Sequence, residues 1–146
     1  MKPVYQTQFG DGVGNCFSAC LASILEMPLS EVPNFCALYK EGWYPEFLRW
    51  LNAHGMAAMT QQFPGDPDSF MNWARTCVPN IPWIAGGPTD RGLHCCVYVG
   101  DKLLHDPNPN FEGIGLKAVD DATFLLCQRY TMDGAGIIIP NPLVSP

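Results

Sequence analysis

The chain has few positively charged residues. Among its 146 residues, Lys and Arg together number eight against 14 Asp and Glu, and the basic residues do not cluster. Binding to a nucleic acid backbone needs a basic surface that neutralises phosphates. The formal net charge of −6 therefore argues against a nucleic acid as the partner.

Long apolar segments are also missing. No window of about 18 consecutive apolar residues occurs, so we expect no membrane span. The first ten residues, MKPVYQTQFG, contain one Lys and lack the apolar core of a signal peptide. We therefore expect a cytoplasmic protein whose seven cysteines stay reduced. Their odd number and irregular spacing also argue against a disulfide framework.

Apolar residues, glycine and proline, in contrast, are plentiful. Hydrophobic residues make up 47% of the chain, and 14 Gly and 14 Pro predict many turns between short elements. The length predicts a single domain over residues 1–146, with an extended tail over residues 140–146. Helical spacing in the N-terminal half and alternation later predict an α+β fold, with helices packed on a small antiparallel sheet.

The individual elements follow from these patterns. After an extended arm and a turn-rich loop, apolar residues recur at helical spacing from Cys16, with Asn15 as N-cap and Pro28 after the end. Ser30 or Asn34 is expected to cap a second helical turn. Further helices are predicted at residues 46–54 and 65–77. Strands are predicted at residues 55–63, 82–87, 93–100, 102–107, 124–130 and 135–140.

The stretch DGVGNCFSACLASIL places a thiol where a helix begins. Unsatisfied N–H groups and the helix dipole favour the thiolate of Cys16, which is the nucleophilic form. An attacking thiolate also needs donors for the oxyanion that it creates. We expect the backbone N–H of Cys16 to be one donor and an upstream glutamine, Gln6 or Gln8, to supply the other.

A base for Cys16 is sought among three histidines, of which His54 is expected to be exposed at a helix end. His94 opens one strand, and Asp106 closes the next, after a turn around VGDK. In the expected triad, Cys16 attacks a carbonyl, His94 holds and returns the proton, and Asp106 fixes the imidazole tautomer and stabilises its cation.

The register of this hairpin decides which side chains share a face, because side chains alternate along a strand. A two-residue loop, Gly100–Asp101, would turn His105 toward the His94 side. A three-residue loop over residues 100–102 pairs Val99 with Leu103, and one face then carries His94, Cys96, Asp106 and Asn108. Glycine in the turn suits a bulged three-residue loop, which we favour, although two-residue loops are more common.

The segments GNCFSAC, LHCCVYV and LLHDP, together with an upstream Gln, resemble papain-like cysteine peptidases. More narrowly, QTQFGDGVGNCFSACLASILEMPLSEVPNF and LHCCVYVGDKLLHDPNP are similar to small papain-like proteins of bacteriophages and prophages. This resemblance implies a papain-like fold, a nucleophile at Cys16, a base at His94 and an orienting acid at Asp106. It also ranks Gln6 first for the oxyanion, because Gln6 begins the QT of the phage group.

The resemblance further implies a thiol hydrolase that cleaves an amide, peptide or isopeptide bond in a protein or peptide, including host proteins if the chain is phage-encoded. The larger papain family has its Gln closer to the Cys, so the loop before Cys16 must be longer or bulged here. Phe17 also differs from the usual residue after the nucleophile, which bears on substrate preference.

Other classes of function compete with this interpretation. An acyl- or amidotransferase could use the same triad, and a non-catalytic papain-like protein could bind and block a host factor. Zinc has thiol and imidazole candidates, but no Cys-x2-Cys pair occurs, so we expect no metal and no cofactor. The candidate zinc ligands are Cys16, Cys20, His94, Cys95, Cys96 and His105. Four cysteines are expected to be buried core residues: Cys20, Cys36, Cys77 and Cys127.

Overall fold

A computed structural model of the chain describes residues 1–63, 67–110, 119–127, 130–132 and 138–140. Its α-helices are α1 (Cys16–Leu25), α2 (Phe35–Tyr39), α3 (Trp43–Ala53) and α4 (Pro67–Cys77). Short 3-10 turns occur at Leu29–Glu31 and Lys40–Gly42. None of the helices in the described residues has the length and apolar composition that crossing a membrane requires.

Seven strands complete the described structure and confirm the α+β class. Five of them form one antiparallel sheet in the order β1-β5-β2-β3-β4, and β6 pairs with β7 separately. The predicted tail over residues 140–146 lies, apart from Pro140, outside the described residues. The strands are β1 (Met56–Gln62), β2 (Pro82–Thr89), β3 (Gly92–Val99), β4 (Lys102–His105), β5 (Asp121–Cys127), β6 (Tyr130–Met132) and β7 (Ile138–Pro140).

The main sheet is covered on both faces, and neighbouring residues of β2 show the alternation. Ile84 belongs to a buried cluster with α1 and α3, in which Phe17 meets Phe47 edge to face. Trp83 belongs to a second cluster with α4, where it contacts Phe70 edge to face. Helix α1 is thereby fixed on one face of β3, which sets the position of its first residue.

Asn15 precedes α1, as expected, but its side chain does not cap the helix. Its Oδ1 instead accepts hydrogen bonds from the backbone N–H groups of Thr7 (3.0 Å) and Gln8 (2.9 Å). The prediction of a side-chain N-cap is therefore wrong, because the extended arm competes for the same oxygen. Asn34 does cap α2, where its Oδ1 accepts from the backbone N–H of Ala37 at 3.3 Å.

The β3–β4 hairpin has a two-residue loop, Gly100–Asp101, and Val99 pairs with Lys102. The predicted three-residue loop is therefore wrong. The register then shifts, because Tyr98 pairs with Leu103 while Val97 pairs with His105, which leaves Leu104 as an extra residue in a bulge. From His105 onward the register is the one that the longer loop would have produced. The bulge thus carries Asp106 to the side of His94.

Candidate active site

Cys16 occupies the first position of α1 and is partly buried. The residues before it are held against the arm, since Asn15 bonds the backbone of residues 7 and 8. The first turn of the helix has no side-chain cap, and the first intrahelical bond runs from the N–H of Ala19 to the carbonyl of Asn15 at 2.9 Å. The N–H groups ahead of Ala19 can therefore stabilise negative charge at this end of the helix.

His94 and Asp106 form a direct pair. His94 Nε2 lies 2.8 Å from Asp106 Oδ1, and the two side chains are only 13% and 8% exposed. The backbone N–H of Asn108 also donates to Asp106 Oδ1, at 2.8 Å. Since Asp106 occupies Nε2, the nitrogen of His94 that remains for proton transfer is Nδ1.

The Cys16 side chain makes hydrogen-bonding contacts with the side chains of Cys95 and His94. These two neighbours point to opposite faces of β3, because side chains alternate along a strand. Strand β4 pairs with β3 only over Val97–Val99, so none of the described strands pairs with the edge of β3 beside His94 and Cys95. A thiol that meets both side chains therefore lies at this edge, at the open end of the hairpin.

The contacts shift both proton equilibria toward an ion pair. The hydrogen bond from Cys95, followed by the hydrogen bond and charge of His94, outweighs burial and lowers the pKa of Cys16 to about 5. Burial acts to lower the pKa of His94, but hydrogen bonds with Asp106, Cys16 and Cys96 outweigh it and raise that pKa to about 12. At neutral pH these directions correspond to a thiolate beside an imidazolium.

Gln6 is buried and forms hydrogen bonds both to the residue after Asp106 and to the arm before Cys16. Its backbone N–H donates to the carbonyl of Pro107 at 2.8 Å, and its Nε2 donates to the carbonyl of Gln8 at 3.1 Å. An amide nitrogen carries two N–H groups, so one stays available. The Gln8 side chain is directed elsewhere, because its Oε1 accepts from Asn34 Nδ2. Gln6 is thus the better placed of the two oxyanion candidates.

The other two histidines have separate environments. His105 is buried, its Nε2 lies 2.8 Å from the carbonyl of Val4, and Tyr5 packs edge-on against its ring. The two-residue loop that would have favoured His105 does form, but the bulge at Leu104 turns it away from His94. His54 is exposed near the end of α3, as expected, with Nδ1 2.7 Å from the carbonyl of Trp50.

A metal ion could be held by His94, Cys96 and Asp106, whose ligand atoms lie within 4.8 Å of one another. Nitrogen, sulfur and oxygen from these residue types suit zinc. Of the six zinc candidates from the sequence, the cluster contains His94 and Cys96, and it adds Asp106. Two of the three ligand atoms are already hydrogen-bonded to each other at 2.8 Å. The same side chains thus form a hydrogen-bonded His–Asp pair.

The four cysteines expected in the core have different fates. Cys20 is completely buried, Cys36 is partly buried and Cys77 is exposed. The expectation is therefore confirmed for Cys20 and wrong for Cys77, which lies at the exposed end of α4, while the side chain of Cys127 lies outside the described residues. Sequence reasoning also missed the contact of Cys95 with Cys16, since no spacing relates positions on α1 and β3.

A depression of about 740 Å³ lies at the closed end of the hairpin, and its lining does not include Cys16, His94 or Asp106. Its lining includes Arg75, Pro79 and the loop at Gly100–Asp101.

No family model matches the chain, and neither a curated protein nor a solved structure is significantly similar to it. Function is therefore inferred from the residues of the site and from the motif resemblance.

Proposed function

We propose that the protein is a papain-like thiol hydrolase that cleaves an amide, peptide or isopeptide bond through Cys16, His94 and Asp106. The observation that supports this most is the 2.8 Å bond between His94 Nε2 and Asp106 Oδ1, with Cys16 in contact with the same imidazole. The thiol, the base and the orienting acid come from α1, from β3 and from the residue after β4. This is the division of roles that nucleophilic acyl transfer requires.

In the proposed reaction the Cys16 thiolate attacks the carbonyl carbon, and the carbonyl π electrons move onto oxygen. The resulting oxyanion accepts hydrogen bonds from the backbone N–H of Cys16 and from the free N–H of Gln6 Nε2. His94 gives its Nδ1 proton to the leaving amine, and an acyl-enzyme remains. His94 then takes a proton from water, which attacks the thioester and releases the carboxylic acid. Asp106 holds Nε2–H through both steps.

The substrate class comes from the motif resemblance. The similarity to phage and prophage proteins favours a protein or peptide substrate in a bacterial host. An acyl-enzyme also reacts with an amine in place of water, so acyl or amido transfer is the nearest alternative activity. The more distant alternative is a binding protein that blocks a host factor and does not use the thiol.

The decisive experiment is the pH dependence of Cys16 alkylation by iodoacetamide, followed by peptide mass mapping. Only the thiolate reacts, so the rate rises as pH increases through the pKa of Cys16, about 5. In His94→Ala the imidazolium is lost, and the midpoint should move upward toward the ordinary value of about 8.5. His105→Ala is the matched control, because His105 bonds the arm at Val4 and does not contact Cys16.

A midpoint near that of a free thiol in both the wild type and His94→Ala would mean that Cys16 only packs at a helix end. The proposed hydrolase would then be rejected in favour of the binding protein. A low midpoint that survives in His94→Ala would instead assign the activation to Cys95 alone and remove His94 from its role.

A further inference from the structure

A second thiol lies against the nucleophile. Cys95 faces α1 from β3, and its side chain is in hydrogen-bonding contact with that of Cys16. For hydrolysis, a hydrogen bond to the thiolate could be donated equally well by an N–H or O–H group. A second sulfur at this position adds redox chemistry that those groups lack. The proposed hydrolytic steps make no use of it.

The other described thiols are placed less favourably for a bond to Cys16. Cys20 is one turn along the same helix and fully buried. Cys96 points to the opposite face of β3 from Cys95, where it contacts His94 and Asp106. Cys77 is exposed on α4, which packs on the far face of the sheet. Among the described cysteines, Cys95 is the one whose side chain hydrogen-bonds to Cys16.

We infer that Cys16 and Cys95 form a reversible disulfide when the protein encounters hydrogen peroxide, and that this bond switches the site off. The modification itself needs only the two sulfurs, whereas its regulatory consequence rests on the proposed hydrolase. A disulfide removes the nucleophile and, in the same step, protects it from irreversible oxidation.

The chemistry balances with peroxide as the oxidant. The Cys16 thiolate attacks one peroxide oxygen, an S–O bond forms, the O–O bond breaks and hydroxide leaves. The sulfur of Cys95 then attacks the sulfenic acid sulfur of Cys16. An S–S bond forms, the S–O bond breaks, and the hydroxyl group departs as water with the proton of Cys95. Two thiols are oxidised by two electrons, and peroxide is reduced to water.

The surroundings assign different parts to the two sulfurs. Cys16 is partly exposed at the start of α1, so peroxide reaches a thiolate there. The side chain of Cys95 packs against the buried cluster of α1 and α3. Hydrogen bonding to Cys16 and burial raise the pKa of Cys95, so it carries the proton that must leave with hydroxide. Cys16 is therefore the sulfur that is oxidised first, and Cys95 the one that resolves it.

The test treats the full reduced chain with hydrogen peroxide, removes the peroxide with catalase and blocks remaining thiols with N-ethylmaleimide. We expect intact mass to show the loss of two hydrogen atoms, peptide mapping to join the Cys16 and Cys95 peptides, and dithiothreitol to restore alkylation of Cys16. In Cys95→Ser, dithiothreitol should restore Cys16 at least about tenfold less well, because the sulfenic acid proceeds to sulfinic acid. Cys77→Ser is the matched control and should behave as the wild type.

Three outcomes would overturn the inference: Cys16 oxidised without a cross-link in the wild type, Cys16 joined to another cysteine, or equal recovery in Cys95→Ser. Circular dichroism of Cys95→Ser and Cys95→Ala, compared with wild type, ensures that a folded variant is assayed. Failure of the proposed function gives a different pattern. The disulfide would still form, but reduced protein would show no acyl transfer before or after the cycle.

Discussion

Helix α1 carries two cysteines one turn apart, and strands β3 and β4 carry one histidine each, but only one member of each pair belongs to the candidate site. Cys16 lies at the uncapped start of the helix beside His94, and its pKa is lowered to about 5. Cys20 is completely buried, and burial raises the pKa of its thiol well above the ordinary value. Two cysteines one helical turn apart thus have pKa values that are shifted in opposite directions.

The two histidines differ in their hydrogen-bond partners. His94 meets a carboxylate, Asp106, whereas His105 meets the neutral carbonyl of Val4. A carboxylate stabilises an imidazolium, and a carbonyl fixes the arm without supplying a full charge. Position at a helix start, or at a sheet edge that none of the described strands covers, therefore distinguishes the residues of the candidate site from Cys20 and His105, and residue type does not.

The largest difference in activity is expected between two single variants, Cys16→Ala and Cys20→Ala. Cys16→Ala removes the proposed nucleophile, so release of p-nitrophenol from an activated ester should fall by at least about 10³-fold, to background. Cys20→Ala should keep most of the activity and lose about 1 kcal/mol of unfolding free energy, because it leaves a small cavity. Initial rates and urea unfolding measure the two effects.

Equal activity of Cys16→Ala and Cys20→Ala would contradict the proposed hydrolase. If Cys16→Ala also retained binding to a host factor, the proposal of a hydrolase would be replaced by that of a non-catalytic binding protein.

Hydrophobic spacing was sufficient for the main elements and for the α+β class. The helix beginning at Cys16, the strands around His94 and the order of helices before most strands all follow from local pattern. The order of the sheet does not, because β5 pairs with both β1 and β2 through contacts distant in sequence. Such pairing depends on tertiary packing, and the periodicity of a single sequence does not predict which strands become neighbours.

The candidate site shows the same limit at the scale of single residues. His94 and Asp106 were paired by sequence reasoning, but through a longer loop than the one that forms. The bulge at Leu104 restores the expected register. No residue pattern in KLLHDP predicts this bulge. Asn15 likewise has the residue type of an N-cap, yet the backbone of the arm takes its oxygen. In both cases a competing contact from another segment decides the geometry.

A smaller effect is expected for Asp106→Asn, which tests the carboxylate that the bulge brings to His94. A neutral amide of the same shape neither stabilises the imidazolium nor enforces the tautomer, so ester hydrolysis should fall by about 10²-fold. The alkylation midpoint of Cys16 should also move upward, because a less basic His94 is less often charged beside the thiolate. Asp101→Asn, in the loop of the same hairpin, is the matched control. An unchanged midpoint in Asp106→Asn would separate the His–Asp pair from thiol activation.

A loss of the same size as that of Asp106→Asn, but confined to catalysis, is expected at one of two glutamines that are two residues apart on the arm. Gln6 is buried between Pro107 and the segment before Cys16, while Gln8 bonds Asn34. If Gln6 supplies an oxyanion donor, Gln6→Ala should lower kcat by about 10²-fold, and Gln8→Ala should leave it nearly unchanged. Alkylation of Cys16 forms no oxyanion, so its rate and pH midpoint should be the same in both variants and in the wild type. A parallel loss of alkylation and hydrolysis in Gln6→Ala would mean that Gln6 only supports the arm, and the second oxyanion donor would have to be sought elsewhere.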